Sequence, residues 1–291
     1  FMSTLWNTYA FFVLYANIDD FDATKYSLEY DKLPVMDKWL LSKLNTVVGE
    51  VDNHLENYRI PEAARALQDF VDDMSNWYVR RSRERFWAKG MEQDKINAYM
   101  TLYTTLVELC KVAAPMIPFM TEEIYQNLVR SIDENAIESI HLCAFPTVDE
   151  SAIDKELEAN MDSVLKLVVM GRACRNTANI KNRQPIGQMY VKADFDLPDF
   201  YKEIVAEELN VKAVTFTQDV RDFTSYSFKP QLKTVGPKYG KLLGGIRPAL
   251  ANIDGNAAMD ELNATGSLKL DINGQEVVLL LEDLLIESAQ M

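Results

Sequence analysis

The stretch NWYVRRSRERFW, residues 76–87, contains four arginines and four aromatic residues but only one acid, Glu84. The whole chain has 291 residues and a formal net charge of −14, so this local excess of positive charge opposes the overall balance. An apolar stripe with helical spacing leads into it at positions 63, 67, 70, 74 and 77. Continued in register, the stripe reaches Arg81 and Arg85. Because burying unpaired arginines is costly, we expect this helix to extend beyond its core and face a groove or another domain.

Amphipathic helices are predicted on both sides of this stretch. Apolar spacing predicts helices over 36–58 and 96–113, the second ended by the prolines of APMIP. Thr121 is expected to be the N-cap of a further helix that runs to about Arg130. The apolar run 1–18 is predicted to be a buried helix, because polar residues interrupt it and it is too short to span a membrane. The sequence therefore predicts a mainly α fold that begins with an antiparallel helical bundle.

The second half of the chain changes its period. SIHLCAFPTVDE, 139–150, is predicted to be extended and to lead into an acidic linker, and 154–179 is predicted to be one long helix. Alternating residues predict strands at MYVKAD (189–194), VKAVTFT (211–217) and TSYSFKP (224–230), with a helix over 198–209. SLKLDI and QEVVLLL flank Asn273-Gly274, a strong hairpin signal.

Three regions follow from these elements. Residues 1–147 are predicted to be the helical bundle, and residues 148–185 an acidic linker with the long helix. Residues 186–291 are predicted to be a small α+β domain at the C-terminus.

Positive charge is segregated along the chain. Besides the stretch 76–87, two segments are basic and contain no acid at all. Segment 163–193 has six basic residues and segment 223–253 has five. An acidic body with basic strips can guide a polyanion along a defined path, and arginine makes forked contacts with phosphate. The residues predicted to bind nucleic acid are Arg80, Arg81, Arg83, Arg85, Arg172, Arg175, Lys181, Arg183, Lys229, Lys233, Lys238, Lys241 and Arg247.

Each basic residue taken alone has a structural alternative. Arginines near the end of a helix complement its dipole, and Arg80 with Glu84 has the spacing of an ordinary helical ion pair. The aromatic residues Trp77, Tyr78, Phe86 and Trp87 are individually expected in the core rather than as base-stacking platforms.

Cysteine and histidine are sparse. Three widely spaced cysteines argue against both a disulfide framework and a zinc site, and they fit a reducing, cytoplasmic compartment. The two histidines, His54 and His141, are interpreted as a surface and a strand-edge imidazole. No metal site and no catalytic residue are predicted.

Several motifs resemble one family in the same order along nearly the whole chain. NWYVRRSRERFW is similar to a helix in the anticodon-binding region of isoleucyl-tRNA synthetases, class I enzymes that attach isoleucine to tRNA with ATP. The other similar segments are LWNTYAFFVLYAN (5–17), AAPMIPFMTEEIYQNL (113–128), SIHLCAFP (139–146), GRACRNTANIKNRQP (171–185), EELNVKAV (207–214) and KPQLKTVGPKYGKL (229–242). The absence of Cys-rich zinc ligands is typical of the eukaryote-like branch, which also occurs in bacteria.

The resemblance implies a C-terminal fragment that grips the anticodon arm of isoleucine tRNA and positions it for an upstream catalytic domain. The HIGH and KMSKS signatures and the editing domain lie upstream in the family, so ATP and Mg are expected there and not in this chain. The fragment alone is expected to be inactive. Its expected partners are the tRNA and the upstream catalytic and editing domains. No association with a membrane is expected. The alternatives are the same region of a valyl-tRNA synthetase and a non-catalytic helical scaffold for an acidic protein.

Overall fold

The first half of the chain is helical in the computed structural model, which describes residues 1–219 and 223–290. In chain order, its α-helices are α1 (Met2–Ile18), α2 (Val35–Glu56), α3 (Ile60–Asp73), α4 (Arg80–Trp87), α5 (Gln93–Ala113), α6 (Pro118–Tyr125) and α7 (Lys155–Thr177). The helices predicted over 36–58, 96–113 and 154–179 are therefore confirmed to within a few residues.

The second half of the chain combines short helices with strands. Its helices are α8 (Asp199–Leu209), α9 (Leu232–Tyr239), α10 (Leu243–Asn252) and α11 (Gly255–Thr265). Its strands are β1 (Met189–Lys192), β2 (Val214–Thr217), β3 (Thr224–Pro230), β4 (Ser267–Ile272), β5 (Gln275–Leu280) and β6 (Leu284–Gln290). The prediction of a mainly α fold with a small α+β part at the C-terminus is confirmed.

The chain forms two compact units, Phe1–Val169 and Met170–Met291. The division predicted from the sequence, with borders after residues 147 and 185, stays a prediction.

The first unit has a core between its long helices. Trp39 and Leu40 of α2, Leu67 of α3, and Leu102 and Leu106 of α5 are all fully buried. In α5 the buried residues Leu102, Leu106 and Leu109 recur at the three- and four-residue spacing that places apolar side chains on one face of a helix. Burial of these faces against one another holds the bundle together.

Two details of the bundle differ from prediction. Thr121 is not an N-cap, because α6 begins at Pro118, whose missing amide proton suits the first helical position. The hydroxyl of Thr121 instead donates to the carbonyl oxygens of Ile117 and Pro118. Residues 139–150 include the 3₁₀ turn Ile140–Leu142 and the first residue of the 3₁₀ turn Glu150–Ala152 rather than one extended stretch.

The second unit contains three strand pairs among its described residues. Strands β1 and β2 are parallel, while β3 pairs with β6 and β4 with β5 in antiparallel register. The predicted hairpin is confirmed: Asn273 and Gly274 connect β4 to β5, and both have positive φ, at 55° and 81°. Their positive φ values match the turn type that Asn-Gly favours.

A second core lies under the antiparallel strands. It contains Phe228 of β3, Ile246 and Leu250 of α10, and Leu268 and Val277 of the hairpin. Helices α9, α10 and α11 and strand β6 were not predicted from the sequence. These elements are short, and α9 and α10 each contain an internal proline, so their local patterns were weak.

Gly255 tests the packing of this second unit. A Cβ atom there would lie 1.7 Å from the carbonyl oxygen of Tyr226, which is backbone and cannot swing aside. We expect Gly255→Ala to lower the free energy of unfolding by about 1–3 kcal/mol, the usual cost of overpacking. Gly244→Ala is the control, because a Cβ added there meets nothing within 4 Å. Chemical denaturation of both variants measures the effect, and equal stability would contradict this packing.

Candidate nucleic-acid interface

The arginine-rich stretch continues α3 through a π-helical turn, Met74–Val79, into α4. The amide of Arg80 bonds to the carbonyl of Ser75, five residues back, so the turn contains more residues than an α-helical turn. The predicted continuity of the helix is confirmed, but its register is wrong. After Met74 the residues buried at four-residue spacing are Tyr78, Ser82 and Phe86, and not 77, 81 and 85.

Arg85 holds a buried carboxylate. Asp37 of α2 is completely buried, and two guanidinium nitrogens of Arg85 donate to its two oxygens at 2.6 and 2.9 Å. The hydroxyl of Tyr78 donates to Asp37 at 2.8 Å, and Nε of Arg85 donates to Asp94 at 2.9 Å. The sequence led us to expect that Arg85 faces an open groove or another domain. Its guanidinium is instead engaged with carboxylates of the same unit. It is the counter-ion that permits Asp37 to be buried.

Two groups of this cluster, Arg85 and Tyr78, have a raised pKa. Burial lowers the pKa of the Arg85 guanidinium, but hydrogen bonds and charge interactions with Asp37, Tyr78 and Asp94 together raise that pKa above its ordinary value. Burial, followed by the charge of Asp37, raises the pKa of Tyr78 well above its ordinary value. Tyr78 therefore stays a hydrogen-bond donor at neutral pH.

The remaining arginines of α4 lie nearer the solvent. Arg80 is exposed, donates to the carbonyl of Asn76 and lies 5.7 Å from the ring centre of Trp77. Arg81 is half-buried and has a partner. Arg83 is exposed and, within the described part of the chain, makes no hydrogen bond or ion pair.

The aromatic residues of the stretch divide between core and surface. Tyr78 and Phe86 are buried, as predicted, and Trp77 is half-buried. Trp87 is 55% exposed, so its placement in the core was wrong. Its indole nitrogen donates to the hydroxyl of Tyr15 on α1 at 2.7 Å.

The last turns of α7 contain two arginines with structural partners. Arg175 is 4% exposed, and its guanidinium donates to the carbonyl oxygens of Lys181, Leu209 and Asn210. Arg175 is therefore not open to a polyanion, because backbone carbonyls satisfy its charge inside the protein. Arg172 pairs with the buried carboxylate of Glu208 at 2.9 Å.

The segment after α7 presents the two other predicted residues to solvent. Lys181 and Arg183 are both exposed, and neither side chain makes a hydrogen bond or ion pair within residues 1–219 and 223–290. Arg175 binds the carbonyl of Lys181 and so fixes the backbone beneath these side chains. A buried arginine thereby positions exposed cations.

In the third basic segment, 223–253, two lysines form ion pairs. Lys229 binds Glu287, and Lys238 binds the buried Asp283 at 2.9 Å and Glu282 at 3.2 Å. Burial acts to raise the pKa of Asp283, but hydrogen bonds from the Leu280 amide and Lys238 lower it below its ordinary value. Lys238 therefore contributes to the structure of the second unit.

The other three cations of this segment are exposed. Lys233 lies on α9, Lys241 on the 3₁₀ turn Gly240–Leu242, and Arg247 on α10. None has a hydrogen-bond or ion-pair partner among the described residues. With Arg83, Lys181 and Arg183 they are the six predicted residues whose charge is open to a polyanion.

The histidines differ somewhat from their predicted positions. His54 lies mostly buried on α2, with Nε2 3.6 Å from Glu50, and is not a surface residue. His141 is exposed on a 3₁₀ turn and not at a strand edge. Among residues 1–219 and 223–290 no three His, Cys, Asp or Glu side chains are grouped to hold a metal ion. No helix in the described ranges is both long enough and apolar enough to cross a membrane.

Residues 37–192, more than half of the chain, match the family described as the anticodon-binding domain of tRNA ligase. The chain belongs to this family. It is 48% identical over its whole length to an isoleucine-tRNA ligase of Clostridium novyi (strain NT), covering 28% of that protein. It is 49% identical to the isoleucine-tRNA ligase of Clostridium acetobutylicum, over 98% of the chain and 27% of that protein.

A more distant relative is the isoleucine-tRNA ligase of Porphyromonas gingivalis, which is 38% identical over 99% of the chain. The chain covers 25% of that protein. It thus spans about a quarter of the length of the relatives that it matches.

Alanine variants of Arg83 and Arg85, two residues apart on α4, test whether Arg85 is structural and Arg83 is not. We expect Arg85→Ala to lower the free energy of unfolding by about 3–5 kcal/mol, because it leaves the buried Asp37 without its counter-ion. Arg83→Ala should change stability by less than about 0.5 kcal/mol, as is usual for an exposed residue without partners. Urea denaturation followed by circular dichroism measures both. A stable Arg85→Ala variant would refute the structural role of Arg85.

Proposed function

We propose that this chain is the part of an isoleucine-tRNA ligase that binds the anticodon arm of isoleucine tRNA. Membership of the anticodon-binding family carries the proposal, together with the isoleucine-tRNA ligase names of the relatives. The acidic balance of the chain restricts RNA to its basic surfaces, because like charge elsewhere repels phosphate.

Within this proposal the six exposed cations are the phosphate contacts. Arg83, Lys181, Arg183, Lys233, Lys241 and Arg247 present charge that no acid of the described residues neutralises. Arg85, Arg175 and Lys238 act indirectly, since each is engaged with protein groups and holds neighbouring backbone or helices in place. Contacts of this kind orient the RNA arm and carry little sequence information.

The chemistry of the ligase belongs, in this proposal, to parts of the longer protein outside this chain. We place ATP and Mg binding, amino-acid activation and editing in those upstream domains, which are its partners in a cytoplasmic enzyme. No residue of this chain is assigned a catalytic role, and the chain alone is proposed to be inactive in aminoacylation.

Two alternatives are less well supported. A valyl-tRNA synthetase would share the helical bundle, but the relatives at 48% and 49% identity are isoleucine-tRNA ligases. A scaffold for an acidic protein would use the same basic side chains, but the family match favours RNA. Selection among RNAs distinguishes RNA binding from that scaffold.

Lys181 and Arg183 give the direct test of the proposed contacts. We expect the double variant Lys181→Ala/Arg183→Ala to bind isoleucine tRNA and an unrelated tRNA more weakly by similar factors, since phosphate contacts do not distinguish sequences. Lys269→Ala is the matched control, an exposed lysine of the same unit outside the basic segments. Filter binding gives the affinities, and melting curves exclude unfolding. Unchanged affinity would remove this segment from the RNA site, and a loss confined to isoleucine tRNA would make it a base reader.

The salt dependence of binding counts the contacts. If six phosphates are neutralised, log K should fall with log salt concentration with a slope of about −4 to −5, between the single-strand and duplex limits. Each alanine substitution at one of the six cations should make the slope shallower by about 1. Titrations of the chain with tRNA over a series of KCl concentrations measure this, and a slope near zero would contradict binding through these cations.

A further inference from the structure

The β1–β2 sheet has one covered face and one open face. In its parallel register Val191 lies beside Phe216, and Tyr190 lies beside Thr215. Val191 is buried, and the ring of Phe216 lies under Lys202 of α8 at 5.5 Å, so this pair faces the helix. Successive side chains of a strand point to opposite faces, so Tyr190 and Thr215 point away from α8.

Two aromatic rings are stacked on this open face. The ring centres of Tyr190 and Phe223 are 4.2 Å apart, and their planes differ by 25°. Tyr190 is nevertheless 47% exposed and Phe223 37% exposed. Stacking covers one face of each ring, so the exposed area lies on the remaining faces and edges. Exposed apolar area of this kind, grouped rather than scattered, marks an interaction site.

Polar and basic side chains surround the rings. Lys192 follows Tyr190 by two residues on the same strand, and the side-chain amide of Gln188 donates to the hydroxyl of Thr215. Lys212 lies at the amino end of the sheet, where its amide donates to the carbonyl of Ile186.

The charges are arranged unequally along the sheet. Lys181, Arg183, Lys192 and Lys212 are exposed and take part in no ion pair among the described residues. At the carboxyl end of β1, Lys192 is followed by the exposed acid Asp194. A polyanion is therefore attracted most strongly to the amino end of the sheet, where Lys212 lies.

We propose that Tyr190 and Phe223 form a base-stacking platform for an unpaired nucleotide of RNA, with its phosphates on the neighbouring cations. This inference rests on the proposed function and deepens it, because it names the residues that would hold an unpaired base of the anticodon loop. Base stacking on aromatic rings is the usual way in which proteins hold single-stranded RNA, and a positive surface beside the rings follows the backbone. A protein partner is disfavoured, since lysine is depleted in the cores of protein interfaces.

The test compares unpaired and paired RNA. The 291-residue chain is titrated with a stem–loop RNA carrying an isoleucine anticodon loop, in which 2-aminopurine replaces one loop base, and with a blunt duplex of the same stem. Tyr190→Leu removes the ring, and Tyr190→Phe keeps it. Phe195→Leu is the matched control, since Phe195 is 48% exposed in the same unit but packs with Phe216 on the α8 side. Phe223→Leu is a second variant that leaves Tyr190 in place.

We expect Tyr190→Leu to weaken binding of the stem–loop about 5- to 150-fold, the range for loss of one stacked base. The quenching of 2-aminopurine should disappear with it. Tyr190→Phe and Phe195→Leu should bind like the original chain, and duplex binding should not change in any variant. If melting shows that Tyr190→Leu is unfolded, Phe223→Leu takes its place with the same expectation.

Three results would overturn the platform. Stem–loop binding and quenching that persist in the ring-deleted variant would refute it while leaving the proposed tRNA binding intact. An equal loss for stem–loop and duplex would show that the ring supports the fold rather than a base. If the original chain bound no RNA of either kind, both the platform and the proposed function would fail.

Discussion

The buried carboxylate of Asp37 is the constraint on which the first unit depends. A charge without access to water needs a counter-ion and hydrogen bonds, and Arg85 and Tyr78 supply both. These two residues lie seven positions apart along the α3–α4 helix and reach the same carboxylate on α2. The contact therefore fixes the register of one helix against the other at the point where the basic surface begins.

The π turn and this ion pair are two aspects of one arrangement. The wider turn at Met74–Val79 brings Tyr78, Ser82 and Phe86 to the buried face and leaves Arg85 beside Asp37. Arg83 then faces solvent with its charge unopposed by the described residues. π turns inside α-helices occur frequently at functional sites, and here the turn determines which arginine is structural and which is available.

The second unit uses buried ionic groups in the same way. Arg175 occupies a position where three backbone carbonyls converge, and Lys238 closes over Asp283. Arg175 is buried and holds backbone carbonyls, whereas Lys238 is exposed and neutralises the buried carboxylate of Asp283. Basic residues that are close in sequence thus divide into those that bind protein groups and those that are exposed to solvent. Only the partners of each residue distinguish the two classes.

Sequence periodicity was sufficient for the elements whose pattern is local. The long helices, the Asn273-Gly274 hairpin and the strands on either side of α8 were all predicted, because apolar spacing and turn residues determine them directly. The short helices α9 to α11 and strand β6 were missed, since contacts with distant residues stabilise them. Strand β6, for example, pairs with β3, which is far away along the chain.

The sequence by itself determined the family, the helical bundle and the location of the basic segments. Only the tertiary structure decided which of those cations are exposed. A one-residue change in helical register moved Arg85 into contact with a carboxylate 48 positions away, and a buried site formed for Arg175 from carbonyls on two other segments. The pairing of Tyr190 with Phe223 likewise joins residues that no local pattern connects. Burial and pairing depend on the three-dimensional meeting of such distant residues, which spacing along the chain does not record.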